Sequence, residues 1–509
     1  MTFYVCIMYI YCMVKEIVLD PEEKSFFLIL KETAFINPFS SRRQELNRKL
    51  AGIKNLSGEP LLRKMICSVA TRMKQVESEE RDNLKLYTGE DREMMRVALL
   101  FDIYHRFIDD FELLIKEQIK VGDTTCTVPF STKVLTLLRR KGFKAGEALH
   151  YFAFFYQLRR AHYFIYSSLA GHSSSMEELR CHLWNNIFTY DTQWYEDFLW
   201  NRMEDFSTFI LGETGTGKGT VAAAIGRSGY IPFDEKKSCF AESFTSNFIP
   251  INLSQFPETI IESELFGHKK GAFTGAVENH QGVFSHCKPH GTIFLDEIGE
   301  ISIPVQIKLL KVIQERTFQA VGSHQSLRFH GRVIAATNKP LDELRREGSF
   351  RDDFFYRLCS DVISVPSLSQ QIAEEPATLR KLLEHTISRI TGSSSPSLLK
   401  TVLKVLEKEL PRGYSWPGNV RELEQAVRRI ILTNSFSGDA CEAPTDLQSR
   451  LHQGIDDGAL NAQEILAAYC TLLYQRCGTY EEVARKTKLD RRTVKKHVQI
   501  TNKVKDHIS

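Results

Sequence analysis

The feature that most constrains this chain is the run Gly212-Glu213-Thr214-Gly215-Thr216-Gly217-Lys218, set directly after the apolar triplet Phe209-Ile210-Leu211. A helical stretch, Thr220 to Gly226, follows it. A strand, a glycine-rich turn and a helix in that order form a P-loop, and the P-loop sits in parallel α/β sheets. Glycines let backbone N–H groups close around phosphate oxygens. The helix N-terminus adds partial positive charge, and Lys218 reaches the β- and γ-phosphates. Gly212 through Lys218, with Gly219 and Thr220, are the expected ATP-binding residues. One position departs from the pattern. The Ser or Thr that ligates magnesium after the lysine is Gly219 here, and Thr220 stands one place late. Metal positioning must then rest more on other groups.

Those groups are expected downstream. Short β-rich runs alternate with helices at Phe209–Leu211, Phe248–Ile251, Thr292–Leu295, Val333–Ala336 and Val362–Val365, which predicts a parallel sheet flanked by helices. Gly291-Thr292-Ile293-Phe294-Leu295-Asp296-Glu297 is an apolar strand ending in two acids, the Walker B pattern. Asp296 is expected to hold Mg2+, directly or through water, and Glu297 to polarise the attacking water. After Pro366 the chain reads helical through Leu432.

Upstream, residues 15–180 read as mostly helical. Arg92 to Lys120 carries Met94, Val97, Leu99, Leu100, Ile103, Phe107, Phe111, Leu114 and Ile115 at helical spacing. His150 to Leu169 is a second apolar run, rich in aromatics. These rings either line a ligand pocket or form a helical core, and the core is the simpler reading. Ser173-Ser174-Ser175 breaks the pattern and is expected to mark a linker. The N-terminal region shows no βα alternation with acids at strand ends, so it does not read as a phosphoacceptor receiver.

Composition sets outer bounds. At roughly 100–200 residues per domain, a chain of 509 residues predicts three or four domains. A net charge of +3 is too small to imply a polyanion partner for the whole chain, so any basic patch must be local. The 11 cysteines are scattered singly with no Cys-x-x-Cys pair, which argues for reduced thiols in a cytosol. Met1 to Val14 is uncharged. It is shorter than the ~20 residues a membrane span needs, and it lacks the basic flank and cleavage site of a signal peptide. A strand, a buried helix, or a start site placed ahead of Met13 are the open readings. His280, His286, Cys287 and His290 cluster in sequence, but their spacing matches no standard zinc pattern.

The local basic patch lies at the C-terminus, beyond a Gly-, Asp- and Ser-rich stretch from Ser435 to Gly458 that reads as a linker. Thr479 with Glu482 forms a capping-box pattern, Lys488-Leu489-Asp490 a turn, and Asp490 a cap for the next helix. That helix carries Arg491, Arg492, Thr493, Lys495 and Lys496, with Val494 and Val498 facing inward. This is a helix-turn-helix outline whose basic helix suits the major groove. Lys488 stands where such turns often have Gly. The preceding helix, Ala462 to Arg476, can pair two copies.

One hexapeptide makes a family resemblance specific. Gly271-Ala272-Phe273-Thr274-Gly275-Ala276 spells GAFTGA, behind Glu264-Leu265-Phe266-Gly267-His268. An apolar ring at a flexible tip is costly unless it docks on a partner. The run resembles the signature loop of the sigma-54-dependent activators, the bacterial enhancer-binding proteins among the AAA+ ATPases. The resemblance extends from about Cys181 to Thr433, roughly half of the chain. It implies that Gly271 through Ala276 contact the sigma factor, with Phe273 and Thr274 foremost. Asn252 resembles the Asn that holds the catalytic Glu away from water. Asn338, closing Ala336-Thr337-Asn338, resembles sensor 1. Arg351 and Arg357 resemble paired arginine fingers that reach a neighbouring subunit's site. Arg421, in Trp416-Pro417-Gly418-Asn419-Val420-Arg421, resembles sensor 2. The C-terminal module resembles the Fis-type helix-turn-helix.

The resemblance implies a multidomain chain. Residues 1–180 form a mostly α regulatory region, 181–365 a central α/β AAA+ P-loop domain and 366–434 its helical lid. Residues 435–458 are a linker and 459–509 an all-α DNA-binding domain. It implies a cytoplasmic activator that binds enhancer-like DNA, assembles into a ring, expected to be a hexamer, and uses ATP and Mg2+ to remodel the sigma-54 RNA polymerase closed complex. No membrane is involved. A DNA-binding regulator that has lost ATPase coupling, and a AAA+ remodeller of some other protein, are the alternatives; the intact acids and fingers oppose the first, and GAFTGA the second. Two departures remain. Pro366-Ser367-Leu368-Ser369-Gln370-Gln371 lacks the usual Arg-rich stretch, and Gly229 to Asn247 is extra sequence, read only as an enlarged surface loop.

Overall fold

Strand residues alternate between the two faces of a sheet, and here both faces are buried. In the computed structural model, which describes residues 16–411, 413–438, 451, 455 and 460–505, the apolar runs become β1 (Thr208–Leu211), β4 (Phe248–Asn252), β5 (Thr292–Asp296), β8 (Arg332–Thr337) and β9 (Asp361–Ser364). They form one parallel sheet in the order β4-β5-β8-β1-β9. Ile210, Phe294, Ile334 and Ile363 point to one side and pack with Val221 and Ile225 of the P-loop helix, Lys218–Gly226. Phe209, Ile293, Leu295 and Val333 point to the other and pack on Leu309 and Val312 of the helix Ile303–Glu315. Burial on both faces is why these strands read as continuous apolar runs. The central α/β domain expected from the sequence is therefore present, with helical regions on either side of it in the chain.

The N-terminal helices are α1 (Pro21–Phe35), α2 (Ser41–Ala51), α3 (Gly58–Ser78), α4 (Gly89–Arg106), α5 (Ile108–Val121), α6 (Ser131–Arg140), α7 (Ala145–Ser168) and α8 (Ser174–Phe188). A capping box between Asp20 and Glu23 starts α1. The periodic stretch 92–120 is not one helix. Phe107 leaves helical geometry at φ −117°, ψ 10°, and its buried ring holds the break between α4 and α5. The aromatic run is α7, apolar around most of its circumference because it is the central helix of this region. Ser173 to Ser175 is not a linker: it opens α8, whose first amides bond back to the Ser173 carbonyl. The expected boundary after residue 180 falls inside that helix.

The stretch 229–247 is more than a surface loop. It forms a hairpin, β2 (Phe233–Asp234) with β3 (Cys239–Phe240). Phe233, Phe240 and Phe244 are buried in the N-terminal core, with Phe233 and Phe240 against the Phe152 ring of α7. A second hairpin, β6 (Thr317–Gln319) with β7 (Ser326–Arg328), leads into β8.

The described residues up to Lys400, with Gly418–Val427, form one compact unit; Thr401–Pro417 and the chain from Arg428 form a second. After Pro366 come helices Leu368–Glu374, Ala377–Thr391, Pro396–Glu409 and Asn419–Thr433. In the second unit, helices Ala462–Cys477, Tyr480–Thr487 and Arg491–Lys505 enclose Cys470, Val483, Val494 and Val498. Met1 to Val14 and nearly all of the expected linker lie outside the described residues. Among the described residues, no helix is long and apolar enough to cross a membrane.

Candidate functional site

The cleft lies at the C-terminal ends of β1, β5 and β8. In chain order β1 is followed by β4, yet β8 and β9 flank it in the sheet. Open α/β sheets bind ligands at such switch points. Gly215 and Gly217 hold φ of +81° and +100°, which shapes the turn of the P-loop. The Lys218 ammonium is buried and donates to the carbonyls of Gly212 and Glu213 at 2.9 and 3.2 Å. Burial pulls its pKa down, while Glu297 and Asp296 push the other way. Burial raises the Asp296 carboxyl, against the pull of Lys218, the Glu297 amide and Arg421. Lys218, Asp296, Glu297 and Arg421 thus share one electrostatic site.

Glu297 follows the strand at φ +56°, in left-handed backbone. Its carboxylate accepts the Asn338 N–H at 3.3 Å, and the Asn338 amide donates to the Thr214 hydroxyl at 2.9 Å. Asn338 therefore joins β8 to both the acid and the P-loop. Asn252 pairs in register with Asp296, but it makes no hydrogen bond to Glu297. Its side-chain oxygen accepts from the Ser254 amide and hydroxyl at 3.0 and 2.8 Å. The restraint on Glu297 expected from Asn252 comes from Asn338 here.

Gly219 is exposed, and a Cβ there would meet only Phe294 Cε1 at 3.9 Å. Packing does not demand this glycine. Thr220, beside it, is exposed. Asp296 supplies the hard oxygen donor that a magnesium ion prefers, and the P-loop supplies no adjacent hydroxyl at position 219. Among the described residues, no three His, Cys, Asp or Glu side chains gather as a metal site.

The residue that closes this cleft is Asn419. It is fully buried at φ +52°. Its amide donates to the Glu213 carboxylate at 2.9 Å and the Thr214 carbonyl at 3.1 Å, and its oxygen accepts the Leu368 N–H at 2.7 Å. The Val420 N–H donates to the Gly215 carbonyl. One side chain thus ties the P-loop to both ends of the segment after Pro366. The family resemblance assigns the motif's role to Arg421 and none to Asn419. An Asn after Gly, in a position suited to left-handed backbone, was the available signal.

The opposite end of the P-loop helix is held as well. Arg160 of α7 is fully buried and donates to the carbonyls of Arg227 and Gly229, both at 2.6 Å. Gln157 donates to the Ser228 carbonyl at 3.0 Å. These carbonyls lie just past the C-terminal end of the helix, where a cation is favoured. Neither residue was singled out in sequence.

Arg351 and Arg357 lie at the two ends of the helix Asp352–Leu358. The Arg351 guanidinium is held by Asp353 at 2.7 Å, and Arg357 is exposed. The GAFTGA loop is pinned at its base by a His268–His280 bridge and by Gly271 N–H to the Ala276 carbonyl. Gly271 and Gly275 hold φ of +79° and +100°. Phe273 is 43 % exposed and leans on the His268 ring, Thr274 is exposed, and Ala276 is buried beneath.

In the C-terminal module, Lys488 holds φ +56°, which explains why glycine suits that turn. Asp490 accepts the Arg492 N–H at 2.8 Å. The expected capping box at Thr479 is not formed; the one that forms is Asn461 with Glu464, a helix earlier. Arg492, Lys495 and Lys496 are exposed, Thr493 is half-buried, and Arg491 pairs with Glu481 at 2.9 Å.

Comparison with known proteins bears on this geometry. Residues 195–364 match the Sigma-54 interaction domain family. The chain is similar to the nitrogen fixation protein AnfA of Azotobacter vinelandii, 37% identical over 270 residues, covering 53% of this chain and 47% of that one. It is 38% identical over 229 residues to the regulatory protein AtoC of Escherichia coli (strain K12), 45% of this chain and 46% of that one. It is 41% identical over 226 residues to the Nif-specific regulatory protein of Azotobacter vinelandii, 44% of this chain and 40% of that one. The chain spans about half the length of the curated relatives it matches.

Proposed function

From the premise that this chain carries a sigma-54 interaction domain across residues 195–364, we propose that it is a cytoplasmic ATP-driven transcription activator that remodels sigma-54 RNA polymerase. The observation that carries the reading is the shared site of Lys218, Asp296, Glu297 and Arg421, on the same α/β scaffold as the exposed GAFTGA tip.

ATP is the substrate. The P-loop amides and the first turn of the P-loop helix surround its phosphates, and the Lys218 ammonium leaves the Gly212 and Glu213 carbonyls for phosphate oxygens. Asp296 is the residue that would hold magnesium, whose charge offsets that of the phosphates when bound. Glu297 orients the attacking water and accepts its proton, and Asn338 reads the γ-phosphate while holding Glu297 in place. Arg421 neutralises charge from the lid side. Arg351 and Arg357 act as fingers for a neighbouring copy's site, which calls for a ring; releasing Arg351 from Asp353 is part of assembly. Fingers in trans are worth ~10³–10⁵ in rate in other NTPases. Phe273 and Thr274 contact the sigma factor, and Arg491, Arg492, Thr493, Lys495 and Lys496 contact DNA.

The test separates the two halves of the reading. Lys218→Ala should abolish ATP binding, and Thr274→Ala should leave ATP hydrolysis intact while abolishing sigma-54-dependent promoter opening. Retained tight ATP binding in the first variant refutes the P-loop assignment. Unaltered promoter opening in the second refutes the role of the loop.

A further inference from the structure

Between α7 and the segment leaving the P-loop helix lies a cleft of about 520 Å³ that the nucleotide chemistry does not use. Its wall is aromatic. His150 and Tyr151 come from α7, Trp200 from the end of the turn before β1, and Tyr230 and Phe233 from the 229–247 insertion. The rings brace each other: His150 to Trp200 at 4.9 Å, Trp200 to Tyr230 at 4.7 Å and His150 to Tyr230 at 5.6 Å between centroids. Its polar edge is acidic. Glu196 and Asp197 stand side by side on a π-helical turn, Tyr195–Leu199, a rare geometry that often marks a functional site.

The charges are unevenly matched. Arg96 donates to Glu196 at 2.7 Å and to Glu93 at 2.9 Å, and it also bonds the Tyr151 hydroxyl. The Tyr151 hydroxyl donates to Glu196 at 2.8 Å. The charge of Arg96 is thereby consumed by its two glutamates. Asp197 forms no ion pair among the described residues and only a hydrogen bond with Gln193, and partial desolvation together with neighbouring Glu196 raises its carboxyl. His150 adds no competing cation at neutral pH, because burial lowers its pKa. The cleft therefore offers π faces and one unmatched carboxylate. Ring faces attract cations, above all those whose charge is carried on an apolar body.

We propose that this cleft is a binding site for an organic ammonium ion, seated on the Trp200 and Tyr230 rings with its charge toward Asp197. An anion would meet two carboxylates, and a neutral apolar ligand would leave Asp197 unmatched. The site spans α7 and the chain that leaves the P-loop helix, so its occupant contacts both the N-terminal region and the ATPase core. The binding itself does not depend on the reading of the nucleotide site.

Titration calorimetry of the full chain with choline, and with its neutral carbon isostere 3,3-dimethylbutan-1-ol, tests this. Choline should bind saturably and about tenfold more tightly than the isostere. Asp197→Asn should weaken choline about tenfold and leave the isostere unchanged, and Trp200→Leu should weaken both. Asp197 is exposed, so its variant folds even where Trp200→Leu does not. Equal affinity for choline and the isostere, no saturable choline binding, or an Asp197→Asn variant that binds choline like the parent would each overturn the proposal.

Discussion

Removing the Asn419 side chain is the sharpest probe of how the P-loop is held. In Asn419→Ala the Leu368 N–H, on a fully buried residue, loses its acceptor. An orphaned buried donor costs about 1–3 kcal/mol. Glu213 and Thr214 are exposed and recover water, so their losses are small. Alanine must also adopt φ of +52°, which costs about 1–2 kcal/mol in left-handed backbone. The sum is about 2–5 kcal/mol, a factor of about 30 to 4,000 in the local opening equilibrium. Global denaturation is a poor readout for a chain of several units. Hydrogen exchange of peptides covering Gly212–Lys218 and Leu368 reads local opening directly. Protection there should fall by that factor in Asn419→Ala. In Asn419→Gly the backbone term vanishes, so protection should return by about tenfold relative to alanine. Parental protection in the alanine variant would refute the proposed tie, and a glycine variant no better than alanine would refute the strain argument.

Three other perturbations address separate parts of the molecule. Gly219→Ser fits without a clash; it should raise helix stability by about 0.5 kcal/mol and lower the Mg2+ requirement for ATP hydrolysis severalfold, and an unchanged Mg2+ dependence would show that position 219 is irrelevant to the metal. His182 Nε2 lies 2.8 Å from Asp361, and that hydrogen bond, working against burial, raises the histidine pKa. Its folded value exceeds its unfolded one, so the pair's stabilisation is complete below the ordinary histidine pKa of about 6.5 and fades as pH rises through the raised value. The difference in hydrogen-exchange protection of peptides covering Asp361–Ser364 between the parent and His182→Gln should therefore shrink from acid to alkaline pH; a constant difference would mean that the pairing contributes no charge. Replacing Arg492, Lys495 and Lys496 together by Ala should weaken DNA binding and flatten the slope of log K against log salt by up to about 2.7, at about 0.9 per phosphate contact. An unchanged slope would place the DNA elsewhere.

What could be read from sequence was what local chemistry dictates. The strands β1, β5 and β8 are apolar because both sheet faces are covered, so short runs such as Ile293-Phe294-Leu295 sufficed to place them. Lys218, Asp296 and Glu297 were legible because their spacing is fixed by a loop and a strand end. Contacts between distant segments were not. Phe233, Phe240 and Phe244 follow no period of their own, since their partners lie on α7, far back in the chain. Thr479 and Glu482 satisfy a capping pattern without forming the bond, whereas Asn461 and Glu464 form it unnoticed. Asn252 illustrates the same limit: a motif position names a residue but does not aim its side chain.

The hold of Arg160 and Gln157 on the end of the P-loop helix bears on how such chains can be taken apart. A sensory region hung on a tether can be deleted or exchanged without injury to its neighbour. Here, cutting ahead of Ser175 would strip the carbonyls of Arg227, Ser228 and Gly229 of their donors and leave three phenylalanine rings in water. Loss of activity in such a fragment would report damage as readily as regulation. A chimera built on this scaffold must carry residues 229–247 together with α7, because the two fill one core.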